Sequence, residues 1–148
     1  MKTIRTIESP FSKSKGIFIA VAAILLFLAT RPVIAQQKAP WVSPKTAQEL
    51  KNPLAGDKGA LAEAKKLYTT NCAPCHGERG KGDGPAAQAL NPKPADHSSA
   101  TIQSESDGSL FWKLSEGRNP MPAYKNVFNE QQRWALVSYI RTLGKPKK

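Results

Sequence analysis

Apolar side chains recur at helical spacing in three stretches after position 57. The first stretch predicts a helix over about residues 58–70, and Asp57 precedes it in the position of an N-cap. The last stretch predicts a helix over residues 130–143, with Asn129 as its N-cap, Gln132 completing an approximate capping box, and Gly144 at its end. The apolar stripes of these two helices consist of Leu61, Ala64, Leu67, Tyr68, Leu136, Tyr139, Ile140 and Leu143.

The segment between these helices predicts two shorter elements. A helix is expected over residues 108–116, with Asp107 as its N-cap and Gly117 at its end. Another is expected over residues 85–90, because Pro85 suits a first helical position. Residues 91–106 are polar and rich in Pro and Ser, which predicts a loop. No strand pattern is present, so the sequence predicts an all-α domain of three to four short helices.

The N-terminal 35 residues have the layout of a secretory signal peptide. Basic residues precede an apolar run over residues 16–29, and small or apolar residues follow up to Ala35. The alternative is an uncleaved anchor over residues 16–34 that associates with the membrane. We therefore expect a periplasmic or exported protein, tethered to the outer face of the cytoplasmic membrane if the segment is retained.

Residues 36–56 precede the predicted domain, which covers residues 57–148. This segment contains three prolines and little helical periodicity, so it predicts an extended arm. Trp41 lies in it, and either folds back onto the domain or belongs to a disordered arm.

The chain is basic, with a formal net charge of +11 over 148 residues. Residues 1–35 contain five basic and one acidic residue, so cleavage leaves 17 basic and 10 acidic residues and a charge of +7. This charge favours transient docking to acidic faces of redox proteins. The basic residues are mostly scattered and no basic patch is interleaved with aromatic residues, which argues against nucleic-acid binding. Candidate docking residues, unless they serve solubility alone, are Lys81, Lys113 and Lys125.

The sequence Cys72-Ala73-Pro74-Cys75-His76 is the attachment signature of c-type haem. Two thiols at this spacing can each form a thioether with one vinyl group of the same porphyrin, and His76 then supplies an imidazole to the iron. These are the only cysteines in the chain. A thiol–disulfide oxidoreductase can also use such a pair, but it needs a βαβ setting that the sequence lacks. A zinc site lacks a fourth ligand nearby.

The second axial ligand predicted from the sequence is Met121. It is the only methionine beyond residue 35, and prolines on both sides make its segment rigid. A thioether favours ferrous iron and raises the reduction potential. The alternative for Met121 is a buried side chain that fills a gap. His97 is the rival ligand, and its alternative is a solvated residue in a polar loop.

On these residues the chain resembles the single-haem class I cytochromes c of the bacterial periplasm, over about residues 57–144. The resemblance implies the cytochrome c fold around one covalently attached haem c, with Met121 as axial ligand. It also implies that the backbone carbonyl of Pro85, nine residues after His76, accepts a hydrogen bond from the imidazole Nδ1. The first and last helices are expected to cross at Ala64, whose small side chain allows them to approach closely.

The function expected from the resemblance is one-electron transfer by a monomer, without catalysis. Because both axial positions would be filled, substrate has no access to the iron. A haem enzyme or gas sensor would need an open iron, and no acid–base group lies near Met121 to serve one. The remaining alternative is an electron-relay subunit of a larger dehydrogenase or oxidase, which the sequence does not distinguish from a free carrier.

Overall fold

The structure is a computed structural model that describes residues 40–144. The predicted signal peptide or anchor, the first residues of the arm and the last four residues lie outside this range. Among the residues described, none forms a helix long and apolar enough to span a membrane.

The all-α prediction is confirmed within this range. The described residues form six α-helices and one 3₁₀ turn, with a single isolated bridge and no strand. In chain order these are α1 (Lys45–Gln48), α2 (Lys58–Asn71), α3 (Ala73–His76), the 3₁₀ turn (Ala87–Ala89), α4 (Ala100–Gln103), α5 (Asp107–Glu116) and α6 (Glu130–Leu143).

The two longest helices begin at the N-caps predicted from the sequence. The side chain of Asp57 accepts hydrogen bonds from the backbone N–H groups of Gly59 and Ala60 at 2.8 and 3.2 Å. At the start of α6, Asn129 and Gln132 form a reciprocal capping box. Both caps satisfy N–H groups that have no partner within the helix.

Three local predictions need correction. Helix α5 is capped by Ser106, whose Oγ accepts from Ser109 N at 3.1 Å, and Asp107 is the first helical residue rather than the cap. The helix expected over residues 85–90 is reduced to the 3₁₀ turn. The loop expected over residues 91–106 contains α4, because the Ser99 side chain caps a helical turn there.

The core forms where α2 crosses α6. Ala64 has no exposed surface, and its small side chain allows the two helices to approach closely. Tyr68, Leu136 and Val137 are also fully buried at this crossing. The crossing implied by the family resemblance is therefore present.

Helix α5 packs against α6 through stacked aromatic rings. The ring centroids of Phe111 and Trp134 lie 3.9 Å apart with an interplanar angle of 15°. Leu110 and Leu114, on the same helix as Phe111, are buried in the common core. These contacts place α5 against α6 in the common core.

The described part of the arm packs against the helices instead of extending from them. Ser43 Oγ is hydrogen-bonded to Ser109 Oγ at 2.5 Å, and Asn52 Nδ2 donates to Ser138 Oγ at 2.9 Å. Gly108 of α5 lies against the backbone carbonyl of Ala47 so closely that a Cβ would collide with it. The prediction of an extended arm is therefore wrong for this segment, where α1 and polar contacts hold the chain against α5 and α6.

Candidate haem site

The Cys-x-x-Cys-His segment is held at the C-terminal end of α2. Cys72 follows α2 directly, and its backbone N–H donates to Tyr68 O at 2.8 Å. The N–H groups of Cys75 and His76 then donate to the carbonyl of Cys72 at 3.1 and 2.8 Å, so the motif forms the helical turn α3. The two thiols are therefore carried by one rigid turn whose direction is set by α2.

The glycine-rich segment after the motif folds back onto this turn. Gly82 N donates to His76 O at 2.8 Å, Gly84 N to Cys75 O at 3.1 Å, and Ala86 N to Pro74 O at 2.9 Å. These bonds satisfy carbonyl groups that would otherwise lack partners at the end of a short helix. The turn with the cysteines is consequently fixed from both sides.

A cavity of about 270 Å³ brings the predicted site residues together. Cys72, Cys75, His76 and Met121 all line it. Most of the remaining wall is apolar and includes Leu90, Ile102, Leu110, Leu114, Leu136 and Ile140. Two free thiols, an imidazole and a thioether around an apolar space fit the attachment and ligation of a c-type haem.

His76 is buried, with 8% of its surface exposed, and its Nδ1 lies 2.9 Å from the carbonyl oxygen of Ala95. Burial lowers the pKa of this imidazole below its usual value, and the hydrogen bond to Ala95 opposes that effect only in part. A neutral ring that donates from Nδ1 keeps its Nε2 lone pair as a metal ligand.

The partner expected for His76 was Pro85, and this prediction needs correction. Pro85 is exposed at the start of the turn that packs on Pro74, and the carbonyl that lies at the His76 Nδ1 belongs to Ala95. The reason is that residues 93–97 pass alongside the imidazole, whereas the chain at residue 85 is tied to the outer side of α3.

His97 is buried and not a solvated loop residue. Its ring is stacked on that of His76, with centroids 4.0 Å apart and an interplanar angle of 18°. Two imidazoles that bind opposite faces of a haem must point at an iron between them, and face-to-face rings cannot do so. This geometry argues against the rival assignment of His97 as axial ligand. Burial lowers the pKa of His97 to about 3, so its ring is neutral.

Met121 reaches the cavity from a tight turn. Its N–H donates to Arg118 O at 2.9 Å, and Arg118 N–H donates to Met121 O at 3.0 Å, which closes a four-residue turn around Pro120. The side chain is half-buried and lines the cavity. This position agrees with the expectation that a rigid loop presents the Met121 thioether as a ligand.

The cysteine environment disfavours the thiol–disulfide alternative. Cys72 is buried, and desolvation together with the nearby Cys75 raises its thiol pKa to about 12. A redox-active cysteine requires the opposite, a lowered pKa that populates the thiolate. Within residues 40–144, no group of three or more His, Cys, Asp or Glu side chains is placed to hold a metal ion.

Trp41 is a cavity residue to which sequence reasoning assigned no role. Its ring lies 6.5 Å from that of Trp112, and the cationic groups of Lys113 and Arg118 lie 5.6 and 5.2 Å from its centroid. The only signal in the sequence is a large aromatic residue in a proline-containing arm. Ala95 left no signal, since it acts through its backbone.

Comparison with known proteins identifies the same region. No curated protein matches the chain. A solved chain of the Kuenenia stuttgartiensis reducing HAO-like protein complex has a similar structure, with a TM-score of 0.56 and 24% identity, over 75% of this chain and 53% of that one. The present chain thus spans about half the length of that relative, and the likeness supports the fold. The cytochrome c family model matches residues 61–144, more than half of the sequence, and the chain therefore belongs to the cytochrome c family, whose domain implies haem-based electron transfer.

Proposed function

We propose that this chain is a single-haem class I cytochrome c that carries one electron at a time between redox proteins outside the cytoplasm. The observation that carries the proposal is the cavity lined by Cys72, Cys75, His76 and Met121. These four side chains have the chemistry to attach one haem by two thioethers and to ligate its iron by an imidazole and a thioether. The protein itself catalyses no reaction, because both axial positions are taken by its own residues.

When bound, the haem supplies an iron that cycles between the ferric and ferrous states. The chain holds the His76 imidazole through the carbonyl of Ala95, which fixes the tautomer that ligates through Nε2. The turn that carries Met121 keeps the thioether in reach during both oxidation states. The apolar cavity wall excludes water, which reduces the reorganisation that accompanies a change of charge.

Replacing Met121 by Ala tests the axial assignment. We expect the holoprotein to lose the weak iron–sulfur charge-transfer band and to have a lower reduction potential, because a soft ligand of ferrous iron is removed. Val127→Ala is the control, since Val127 is close in sequence and 60% exposed. An unchanged spectrum and potential in the Met121 variant would exclude this residue as ligand.

Attachment is tested on the unsubstituted protein, purified from a host with a cytochrome maturation system. We expect the haem to stay with the protein during acid–acetone extraction, because thioethers survive this treatment. Replacing both Cys72 and Cys75 by Ser should leave little folded holoprotein. Haem that extracts freely from the unsubstituted protein would contradict covalent attachment.

Export is the third part of the proposal and rests on the sequence of residues 1–35. N-terminal sequencing of the mature protein should begin at Gln36 if the signal peptide is removed. A product that starts at the first residues and sediments with membranes would instead support the tethered form.

The second candidate is an electron-relay subunit of a larger dehydrogenase or oxidase. It is favoured by the similarity to a chain that belongs to a protein complex. That chain is about twice as long as the region that matches the present one. Gel filtration of a periplasmic extract from the native host separates the two candidates. A free carrier elutes at the mass of one chain, whereas a relay subunit elutes with its partners.

A further inference from the structure

His97 is a buried histidine that the proposed haem ligation does not use. Its backbone N–H donates to Gly80 O at 2.6 Å, and its carbonyl accepts from Gln103 Nε2 at 2.7 Å. Gln103 also donates to Ile140 O at 3.0 Å, which ties this segment to α6. The backbone at residue 97 is therefore fixed from two sides, and the position of the ring follows from the fold.

The segment that contains His97 contacts the His76 imidazole at both its edge and its face. At the edge, Ala95 O lies 2.9 Å from Nδ1. At the face, the His97 ring is stacked at a centroid distance of 4.0 Å. A single hydrogen bond leaves a ring free to turn about the line of that bond, whereas a flat group against the face restricts the plane. The two contacts together define the orientation of the imidazole.

Tyr68 holds the His97 ring in this place. The hydroxyl of the fully buried Tyr68 lies 3.0 Å from His97 Nδ1 and 3.3 Å from Gly77 O. A carbonyl only accepts, so both contacts are satisfied when the hydroxyl donates to Gly77 and accepts from the His97 Nδ1–H. Gly77 directly follows His76 in the sequence. The contacts therefore run from the His76 ring through His97 and Tyr68 back to the residue next to His76.

We propose that His97, held by Tyr68, is a positioning residue that fixes the plane of the His76 imidazole. It thereby sets the electronic asymmetry and the reduction potential of the bound haem. The inference rests on the proposed function, because it requires His76 to be an iron ligand. Contacts of a ligating histidine beyond the metal set its ring orientation and basicity. The plane of an axial imidazole also sets the electronic asymmetry of a low-spin ferric iron, which the NMR shifts of the haem methyl groups report.

The test uses purified ferric holoprotein and compares four variants. His97→Leu removes the flat face, and we expect a changed order of the haem methyl resonances and a shifted reduction potential. His97→Phe restores a flat ring without its nitrogen atoms, so the methyl order should return toward that of the unsubstituted protein. Tyr68→Phe removes only the hydroxyl and should shift the spectrum in the same direction as His97→Leu, by less. Tyr139→Phe is the control, because it removes a hydroxyl from a ring that packs on Tyr68 at 5.0 Å.

Two results would overturn the inference while leaving the proposed function intact. One is an unchanged methyl order and potential in His97→Leu that has kept its haem and its iron–sulfur band. The other, decisive if His97→Leu does not fold, is a spectrum of Tyr68→Phe that equals that of Tyr139→Phe. Absence of bound haem in the unsubstituted protein would instead overturn the proposed function and this inference with it.

Discussion

Gly84, in the segment that folds back onto the motif, has no room for a side chain. Its N–H donates to Cys75 O at 3.1 Å, and its Cα faces the turn that carries the cysteines. A Cβ at this position would collide with the backbone carbonyls of Ala73 and Pro74. Backbone atoms of a hydrogen-bonded turn cannot move aside as a flexible side chain does, so only glycine lets the chain fold back here.

Replacing Gly84 by Ala should therefore destabilise the protein. We expect the free energy of unfolding to fall by about 1–3 kcal/mol, the usual range for an added methyl group without space. Urea denaturation of the purified holoprotein measures it. Gly59→Ala is the matched control, because its Cβ would meet only a side-chain oxygen of Asp57, at 3.3 Å. Equal stability of the two variants would show that the turn tolerates a side chain.

The residues of the site differ in how well they could be predicted. That Cys72, Cys75, His76 and Met121 lie around one cavity could be predicted, because the role proposed for them depends on the chemistry of the side chain and its spacing. Ala95 could not, since any residue has a backbone carbonyl, and only the path of residues 93–97 brings this one to His76. The burial of His97 could not be predicted either, because the polar residues around it in the sequence say little about how its side chain packs.

At the scale of elements, the helices with strong local signals were predicted and the single turns were not. α2 and α6 each span 14 residues and combine an apolar stripe with a capping side chain. α1 and α4 span four residues each, too few for periodicity to be visible. Gly108 of α5 packs against Ala47 of α1, and α4 combines its local Ser99 cap with the hydrogen bond from Gln103 to Ile140 O of α6.

The arm shows how such contacts replace periodicity. Asn52 lies at its end and uses its whole side-chain amide. Its Nδ2 donates to Ser138 Oγ at 2.9 Å and to Trp134 O at 3.3 Å, while its Oδ1 accepts from Leu54 N at 2.9 Å. Ser138 in turn donates to Leu54 O at 3.0 Å. This network ties the arm to α6, close to the buried crossing with α2.

Asn52→Ala should weaken this attachment. Because it removes the partner of several half-buried polar groups, we expect a loss of about 1–3 kcal/mol in the free energy of unfolding. The neighbouring and exposed Lys51→Ala should change it by less than about 0.5 kcal/mol, as most exposed substitutions do. Urea denaturation of both holoproteins gives the comparison. If the two variants have the same stability, the network contributes nothing to holding the arm.

For the whole molecule, the distribution of charge limits how partners are attracted. Residues 40–144 contain 13 basic and 10 acidic side chains, so they contribute only +3 of the +7 that remains after residue 35. The lysines expected to form a docking rim are paired, with distances of 3.8, 2.5 and 2.9 Å for Lys81–Asp96, Lys113–Glu105 and Lys125–Glu116. The other four charges belong to Lys38, Lys145, Lys147 and Lys148.

Long-range attraction of anionic partners should thus depend strongly on the three lysines of the C-terminal tail. We expect replacement of Lys145, Lys147 and Lys148 by Ser to slow oxidation by ferricyanide, an anion, by up to about tenfold at low salt. Stopped-flow traces of the ferrous protein measure the rate constant as a function of ionic strength. The rates of the variant and the unsubstituted protein should converge towards 1 M salt, where the screening length falls to about 3 Å. A cationic cobalt(III) oxidant is the control and should react faster with the variant, because repulsion is reduced. If the variant and the unsubstituted protein react at equal rates at low salt with each oxidant, the charge that attracts partners lies on the helical domain. The paired lysines of that domain would then be the residues to substitute.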